Sequence, residues 1–251
     1  MHYLLILLTT VAGATEIDGT PWERHTIDDT SRGADGARLA DANGDAWPDI
    51  ATPWEEGGVI RVYLHPGPEA AGEPWPSVTV GEPSAPEDAV LVDLDGDGAA
   101  DVVSSTEGDD QTVYVHWAPG SGDYLDASKW TMEAIPATEI ASKWMFCVPV
   151  QIDGRHGVDL VLGSKSKRAQ VGWLEAPANP RDLAAWRYHK LLDVSWVMSM
   201  MTRDMNADGF PDIAVSDRKA PKTRGCLWLE HPGADATGDW AAHYLGARGH
   251  E

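Results

Sequence analysis

Apolar residues along this chain come in short alternating bursts rather than at helical spacing. Runs such as Val59-Ile-Arg-Val-Tyr63, Val113-Tyr-Val-His-Trp117 and Cys226-Leu-Trp-Leu-Glu230 are rich in β-branched and aromatic residues, the pattern of strands. Clusters of Gly, Pro, Asp and Asn stand between them and punctuate turns. No window places apolar residues at i, i+3, i+4 and i+7 over a useful length. The pattern predicts an all-β fold.

The bursts recur as a set. A nine-residue acidic motif marks each copy: DANGDAWPD (Asp41 to Asp49), DLDGDGAAD (Asp93 to Asp101) and DMNADGFPD (Asp204 to Asp212), with a degraded copy, QIDGRHGVD, from Gln151 to Asp159. The closing aspartates fall at 49, 101, 159 and 212, giving steps of 52, 58 and 53 residues. One strand-like run precedes each motif and three follow it, the last opening at Trp75, Trp130, Trp186 and Trp240. Four-stranded units of this period are the signature of β-propeller blades. A single blade exposes two apolar faces, so the units must stack. A β-sandwich is the alternative architecture, but sandwiches do not repeat a loop motif at this period. The repeats lie around 28–80, 81–135, 136–191 and 192–245. Residues Trp22 to Ile27 match the Trp-led last strand of a further unit. Four full repeats are therefore expected within a larger propeller, with a four-bladed ring or an assembly of open arcs as the other possibilities.

Composition adds an address and excludes some partners. The N-terminus carries an apolar run from Tyr3 to Leu8 followed by Ala12-Gly13-Ala14, a small-x-small cleavage pattern. Residues 1–14 are expected to be a signal peptide, with a β-propeller over 15–251 and a secreted, periplasmic or extracellular product. No other apolar run reaches the ~20 residues of a membrane helix, so no membrane span is expected. A net charge of −21 argues against nucleic acid or an anionic membrane surface as partner. The two cysteines, Cys147 and Cys226, sit in strand-like runs and read as buried thiols at least as readily as a disulfide.

The acid has a use. In the first motif, side chains at positions 1, 3, 5 and 9 are Asp41, Asn43, Asp45 and Asp49; the second supplies Asp93, Asp95, Asp97 and Asp101; the last supplies Asp204, Asn206, Asp208 and Asp212. Oxygen-only donors at this density suit a hard cation, and Ca2+ takes about 6–8 oxygens at about 2.3–2.6 Å. Transition metals would want His or Cys in these places. A backbone carbonyl at position 7 and water complete the set. An EF-hand is excluded, because position 12 is Thr52, Ser104 or Val215 rather than Glu, and a strand follows where that motif needs a helix. The bland reading is an acidic turn; three copies at one spacing favour three Ca2+ sites. In the degraded copy Arg155 replaces the central acid and is expected to pair with Asp153 or Asp159 in place of a cation.

DLDGDGAADVV and DMNADGFPDIAV resemble the FG-GAP, or VCBS, repeat, the calcium-loop blade also found in integrin α-chain propellers. The strand around WLEHPG is similar to that of bacterial secreted members. The resemblance implies a Ca2+-stabilised propeller whose loops bind glycans or proteins or, in some relatives, carry lyase or dehydratase chemistry. Ala46, where Gly is usual, and the defective third loop depart from the pattern.

Loops between the second and third strands differ in charge. They read PWEEGG and STEGDDQ in the first two repeats, GSKSKRAQ and SDRKAPKTRG in the last two. Lys165, Lys167, Arg168, Arg218, Lys219, Lys222 and Arg224 would then share one end of the fold, a cationic patch on an anionic protein. Such a patch would receive a uronate or sulfated glycan; a solvated loop is the plainer reading. His65, His116 and His231, and the pair His189 and His243, stand at related places in the repeat and read as structural, since catalysis needs one site and not several. Trp54, Trp144 and Trp196 are less periodic and are candidates for sugar stacking or for core. Two functions follow: a secreted Ca2+-binding recognition module for glycan or protein, or a carbohydrate-active enzyme, a polysaccharide lyase or sugar dehydratase, with Ca2+ as structural cofactor. No catalytic residue is singled out.

Overall fold

The computed structural model describes residues 19, 22–120, 123–140, 142–219 and 225–246. Four antiparallel sheets of four strands each follow one another along the chain. The first holds β1 (Arg38–Ala40), β2 (Asp49–Trp54), β3 (Val59–Tyr63) and β4 (Ser77–Gly81). The second holds β5 (Pro86–Val92), β6 (Asp101–Thr106), β7 (Val113–Trp117) and β8 (Thr131–Ala134). The third is built from β9 (Lys143–Val150), β10 (Asp159–Lys165), β11 (Gln170–Glu175) and β12 (Arg187–Asp193), and the fourth from β13 (Val197–Arg203), β14 (Asp212–Asp217), β15 (Gly225–Glu230) and β16 (Ala241–Gly246). Every sheet is a meander in chain order, and no α-helix occurs among the described residues. The all-β expectation and the four-stranded repeat are both met.

Stacking runs in chain order too: β1 lies against β5, β5 against β9, and β9 against β13. One apolar cluster fills each seam. Ala51, Ile60 and Val62 of the first sheet meet Ala89, Leu91 and Val102 of the second. Val103, Val113 and Val115 then meet Leu160, Leu162 and Leu174 of the third. Val161, Val171 and Trp173 meet Val197, Ile213 and Leu229 of the fourth. Neighbouring residues of one strand, such as Val102 and Val103 or Leu160 and Val161, therefore point into different seams. Because both their faces are covered, β6 and β10 are buried along almost their whole length, while burial alternates along β14 of the end sheet.

The end sheets each keep one face uncovered. Leu39 is 65% exposed where its repeat equivalent Leu91 is 7% exposed, and Met201 is 61% exposed where Val90 is 6%. Among the described residues no packing of comparable extent joins β1 to β13. Residues 22–27, expected as the last strand of a further unit, form no strand. Their one ladder-like contact is the Ile27 carbonyl accepting the Trp75 N–H at 3.2 Å, and without neighbouring strands the segment has no further backbone partners to pair with. The expected signal peptide, Lys222 and Arg224 lie outside the described residues. Cys147 on β9 is a buried free thiol and Cys226 on β15 an exposed one.

A polar contact locks the first seam. His116 on β7 is fully buried, with Nδ1 3.1 Å from the Val80 carbonyl of β4 and Nε2 2.8 Å from Ser104 Oγ. A carbonyl only accepts, so Nδ1 carries the proton and the Ser104 hydroxyl donates to Nε2. The ring approaches Gly81 so closely that a Cβ there would lie 2.3 Å from Nδ1. Burial pushes the His116 imidazole down from 6.5 to about 4. Between these values the unfolded chain binds a proton that the folded chain refuses, so the residue's contribution is lost as pH falls. His116→Gln should therefore flatten the wild-type loss of stability between pH 6.5 and 4, by about 3 kcal/mol at most. Urea unfolding at a series of pH values measures the difference, and parallel curves for the two proteins would refute it.

Candidate functional site

The acidic motifs are the loops between the first and second strand of each sheet, and all four share one frame. The ninth-position aspartate is almost fully buried in every copy. One of its oxygens accepts the N–H of motif position 2: Ala42 to Asp49 at 2.8 Å, Leu94 to Asp101 at 3.1 Å, Ile152 to Asp159 at 2.8 Å and Met205 to Asp212 at 2.8 Å. Its other oxygen accepts an N–H from the residue or two beyond the third strand: His65, Ala118, Ala176 and His231, at 2.7–2.8 Å. This clamp closes the loop onto the sheet with or without an ion. Burial nonetheless pushes Asp101 up to about 7, with Asp95 and Asp97 adding repulsion against the two N–H bonds; Asp159 is pushed up to about 6 for the same leading reason.

Positions 1, 3 and 5 curl the loop around its own backbone. Asp41 accepts from the N–H groups of Gly44, Asp45 and Ala46, Asn43 from Asp45, and Asp45 from Trp47. Asp93, Asp95 and Asp97 repeat the pattern on Gly96, Gly98, Asp97 and Ala99, as do Asp204, Asn206 and Asp208 on Asp208, Gly209 and Phe210. Carboxylate oxygens of Asp93, Asp95 and Asp101 lie within 4.8 Å of one another. Arg181, from the next sheet, lies over the Trp117 ring at 4.5 Å and takes one Asp95 oxygen at 2.5 Å.

The third loop satisfies itself differently. The Gln151 side-chain amide donates to the carbonyls of Arg155 and Gly157, the position-5 and position-7 carbonyls. Arg155 pairs with Asp153 at 3.0 Å and reaches Glu175 at 3.8 Å. Of the two partners expected for Arg155, Asp153 is the one it takes.

Repeat-equivalent aromatics fix these loops. His65 stacks on Trp47 and meets the edge of Trp75; His231 does the same between Phe210 and Trp240. His189 stacks on Trp173 and bonds Glu175, as His243 stacks on Trp228 and bonds Glu230. These four histidines are structural, as the repeat implied. His116 belongs to neither set.

The charged loops gather at the opposite end of the sheets. The residue six past each closing aspartate is Glu55, Glu107, Lys165 or Arg218 in turn, acid on the first two sheets and base on the last two. Bulges at Pro86/Asp88, Gly163/Ser164 and Val197/Ser199 twist the strand ends here and re-aim their side chains. Glu55, Glu87 and Glu107 bring carboxylate oxygens within 4.8 Å of each other, and Lys165 sits on the group. Its Nζ lies 3.0 Å from Glu87 Oε1 and also bonds Glu107. Burial pushes Glu87 up to about 7 against the pull of Lys165. Burial works the same way on Glu107, but there the bond and charge of Lys165 win and hold the acid low. Both acids together keep Lys165 protonated in spite of its burial. Lys165 is thus a structural cation and not a free ligand group.

Beside it a cavity of about 530 Å3 is lined by Glu107, Lys143, Lys165, Lys167, Trp196 and Lys219, with Ser166 and Ser195. Trp196 is its centre. Lys219 Nζ, Lys165 Nζ and Arg218 Cζ lie 4.1, 5.1 and 5.5 Å from the indole centroid. Buried Asp217 fixes the turn by accepting the Ser195 and Trp196 N–H groups, and the Arg218 N–H donates to the Trp196 carbonyl at 2.9 Å. Arg168 does not line the cavity; its backbone carbonyl accepts from Ser142. Trp144 is fully buried and donates to Thr138, and Trp54 is buried and donates to Tyr63, so Trp196 alone of the three lines a cavity. Glu87 was not singled out in the sequence, where it stands in a proline-rich connection with no motif around it.

No family model matches the chain, and no curated protein does. Among solved structures, it is similar to an Agrocybe aegerita lectin described by its recognition of non-reducing terminal N-acetylglucosamine, with TM-score 0.50 and 15% identity over 84% of this chain and 52% of that one. It is also similar to the V. cholerae biofilm matrix protein Bap1, with TM-score 0.45 and 14% identity over 81% of this chain and 27% of that one. The chain thus spans about half the lectin's length and about a quarter of the matrix protein's. The first likeness concerns the fold.

Within the four motif loops, three non-glycine residues take positive φ: Ala46 and His156 at position 6 and Ala207 at position 4. Position 6 is Ala46, Gly98 and Gly209 in the three intact copies, and all have positive φ, at 69°, 90° and 91°. Alanine in that region costs roughly 1–2 kcal/mol relative to its preferred backbone. Ala46→Gly should raise stability by about 1 kcal/mol, or roughly 2–4 °C in Tm. Thermal unfolding by circular dichroism tests this; a Tm at or below wild type would count against it.

Proposed function

We propose that the chain is an exported recognition module of the FG-GAP type, held in shape by about three Ca2+ ions and binding a glycan or a protein at the end opposite the ions. The contrast between the third loop and the others carries the metal reading. Where Gln151 and Arg155 replace carboxylates, the protein supplies its own donors to the position-5 and position-7 carbonyls and a cation to Asp153. The other three loops keep acid at positions 1 and 5, and among the described residues only the second meets a cation, Arg181 of the neighbouring sheet, which pairs with Asp95 and lies 4.0 Å from Asp97. Ca2+ would be held by Asp41, Asn43, Asp45 and Asp49, by Asp93, Asp95, Asp97 and Asp101, and by Asp204, Asn206, Asp208 and Asp212, relieving their mutual repulsion.

The recognition reading rests on the opposite end, where an aromatic ring, several cations and a cavity of ligand size meet. A lectin of similar fold makes sugar binding compatible with such a frame, though fold does not fix function. An enzymatic reading has one observation in its favour: Glu87, a carboxyl pushed up to about 7, lies near that cavity. Its ion pair with Lys165 at 3.0 Å argues against a free acid–base role.

Excess Ca2+ over EDTA should raise Tm by several degrees, and calorimetry should count close to three ions per chain. Asp97→Asn and Asp208→Asn should each remove one. An unchanged Tm, or equal binding after both substitutions, would overturn the metal reading.

A further inference from the structure

We propose that the Trp196 cavity takes a carboxylate-bearing sugar, a uronic acid unit of an oligosaccharide; this rests on the recognition reading above. The cations at this end are held in two ways. Lys165 is neutralised by Glu87 and Glu107, and Lys143 lies 3.8 Å from Glu107. Lys167 and Lys219 are exposed and have no ion-pair partner among the described residues. Lys219 is instead drawn to the indole face at 4.1 Å. An aromatic ring attracts a cation without cancelling its charge. Trp196 therefore collects positive charge beside a cavity and leaves it available, on a protein whose net charge is −21. That arrangement is made for an anion.

The rest of the cavity limits which anion. The ring offers an apolar surface of the kind that packs against the C–H face of a pyranose. Across the cavity stands Glu107, and beyond it at the same end Glu55 and Glu87. These acids accept hydroxyl protons but repel further negative charge. One charge per unit, surrounded by hydroxyl groups, meets both halves of the site. A polyphosphate or a densely sulfated chain meets only the basic half. The carboxylate is placed at Lys167 and Lys219, where charge-assisted bonds form.

Calorimetric titration of the full chain in Ca2+, at low salt, compares a uronate oligosaccharide with its carboxyl-reduced neutral form, a sulfated oligosaccharide and a nucleoside triphosphate. The uronate should bind best and weaken with added salt. Lys219→Ala and Trp196→Ala should each lower its affinity about tenfold, and Lys167→Ala/Lys219→Ala by more. Lys219→Arg, which keeps the charge, should retain most of it. Equal binding of the neutral form, or unchanged affinity in the lysine variants, would overturn the carboxylate assignment while leaving sugar recognition intact. Tighter binding of the sulfated chain or the nucleotide would overturn it in favour of those ligands. If no glycan of any charge binds while the Ca2+-dependent Tm is normal, the glycan reading itself falls. Because Lys167 and Lys219 are exposed, an unchanged Tm separates lost binding from lost fold.

Discussion

Four buried carboxylates hold this fold at its turns. Asp49, Asp101, Asp159 and Asp212 each sit at the start of a second strand, and each accepts two backbone N–H groups that no strand ladder would satisfy. One comes from the acidic loop and one from the end of the third strand, so a single side chain fixes two of the three connections of a sheet. A buried carboxylate without such donors would cost several kcal/mol and would simply protonate. Two N–H bonds only partly offset burial, which is why Asp101 and Asp159 still lie above the ordinary carboxylate range. The clamp is present in all four copies, including the one whose other ligand positions have changed. The clamp and the proposed cation cage would therefore be separable layers of one loop: the first closes the turn, the second would dispose of the charge that positions 1, 3 and 5 bring in.

That separation explains how the two ends of the molecule come to differ. At the loop end, the same frame recurs with aromatic lids in equivalent places, Trp47 over His65 and Phe210 over His231. Sameness is what stacking requires. At the other end the repeat position after each second strand is occupied by Glu55, Glu107, Lys165 and Arg218, and nothing structural demands that change of sign. Acid from the first two sheets meets base from the third across a seam, where Lys165 bridges Glu87 and Glu107. Among the described residues, the acid nearest the fourth sheet's basic loop is Asp217, which accepts the N–H groups of the turn below Trp196. Uncompensated positive charge is left there because the sheets that could neutralise it are on the other side of Lys165.

Most of the frame was legible in the sequence because it is periodic. The spacing of Asp49, Asp101, Asp159 and Asp212 fixed which strands belong to one sheet, and the Trp-led runs marked every fourth strand. The Arg155 substitution also announced its own consequence, since a guanidinium one turn from Asp153 has an obvious partner. What the sequence hid was whatever depends on a single copy. His116 looked like a relative of His65 and His231, two residues displaced; in space it occupies a different register position and a different seam. Glu87 has no motif, and its role comes from Lys165, 78 residues away. Trp144 and Trp196 looked alike, yet they stand seven and eight residues before motif position 1 (Gln151 and Asp204), and that offset puts one in the core and the other at a cavity. Residues 22–27 carried the right letters for a strand but have no sheet to join, and strand formation is decided by partners more than by propensity.

The third loop bears on what the proposed cation cage would cost and what it would supply. Its chain satisfies the position-7 carbonyl with a glutamine amide and balances Asp153 with Arg155, and β10 behind it is no less buried than β6 or β14. A loop balanced by its own side chains is thus sufficient for the turn itself. Three loops that keep their acids nonetheless carry a repulsion that the third avoids, and the two changes that remove it, Gln at position 1 and Arg at position 5, are ones the protein already contains. Keeping those acids makes sense if an external ion supplies rigidity that an internal amide does not, tying side chains, backbone carbonyl and the ninth-position clamp to one centre. Stability would then depend on the ion concentration outside the protein, strong where Ca2+ is plentiful and weak where it is scarce. A recognition surface mounted on such a frame would share that dependence, even though its own lysines and tryptophan touch no metal.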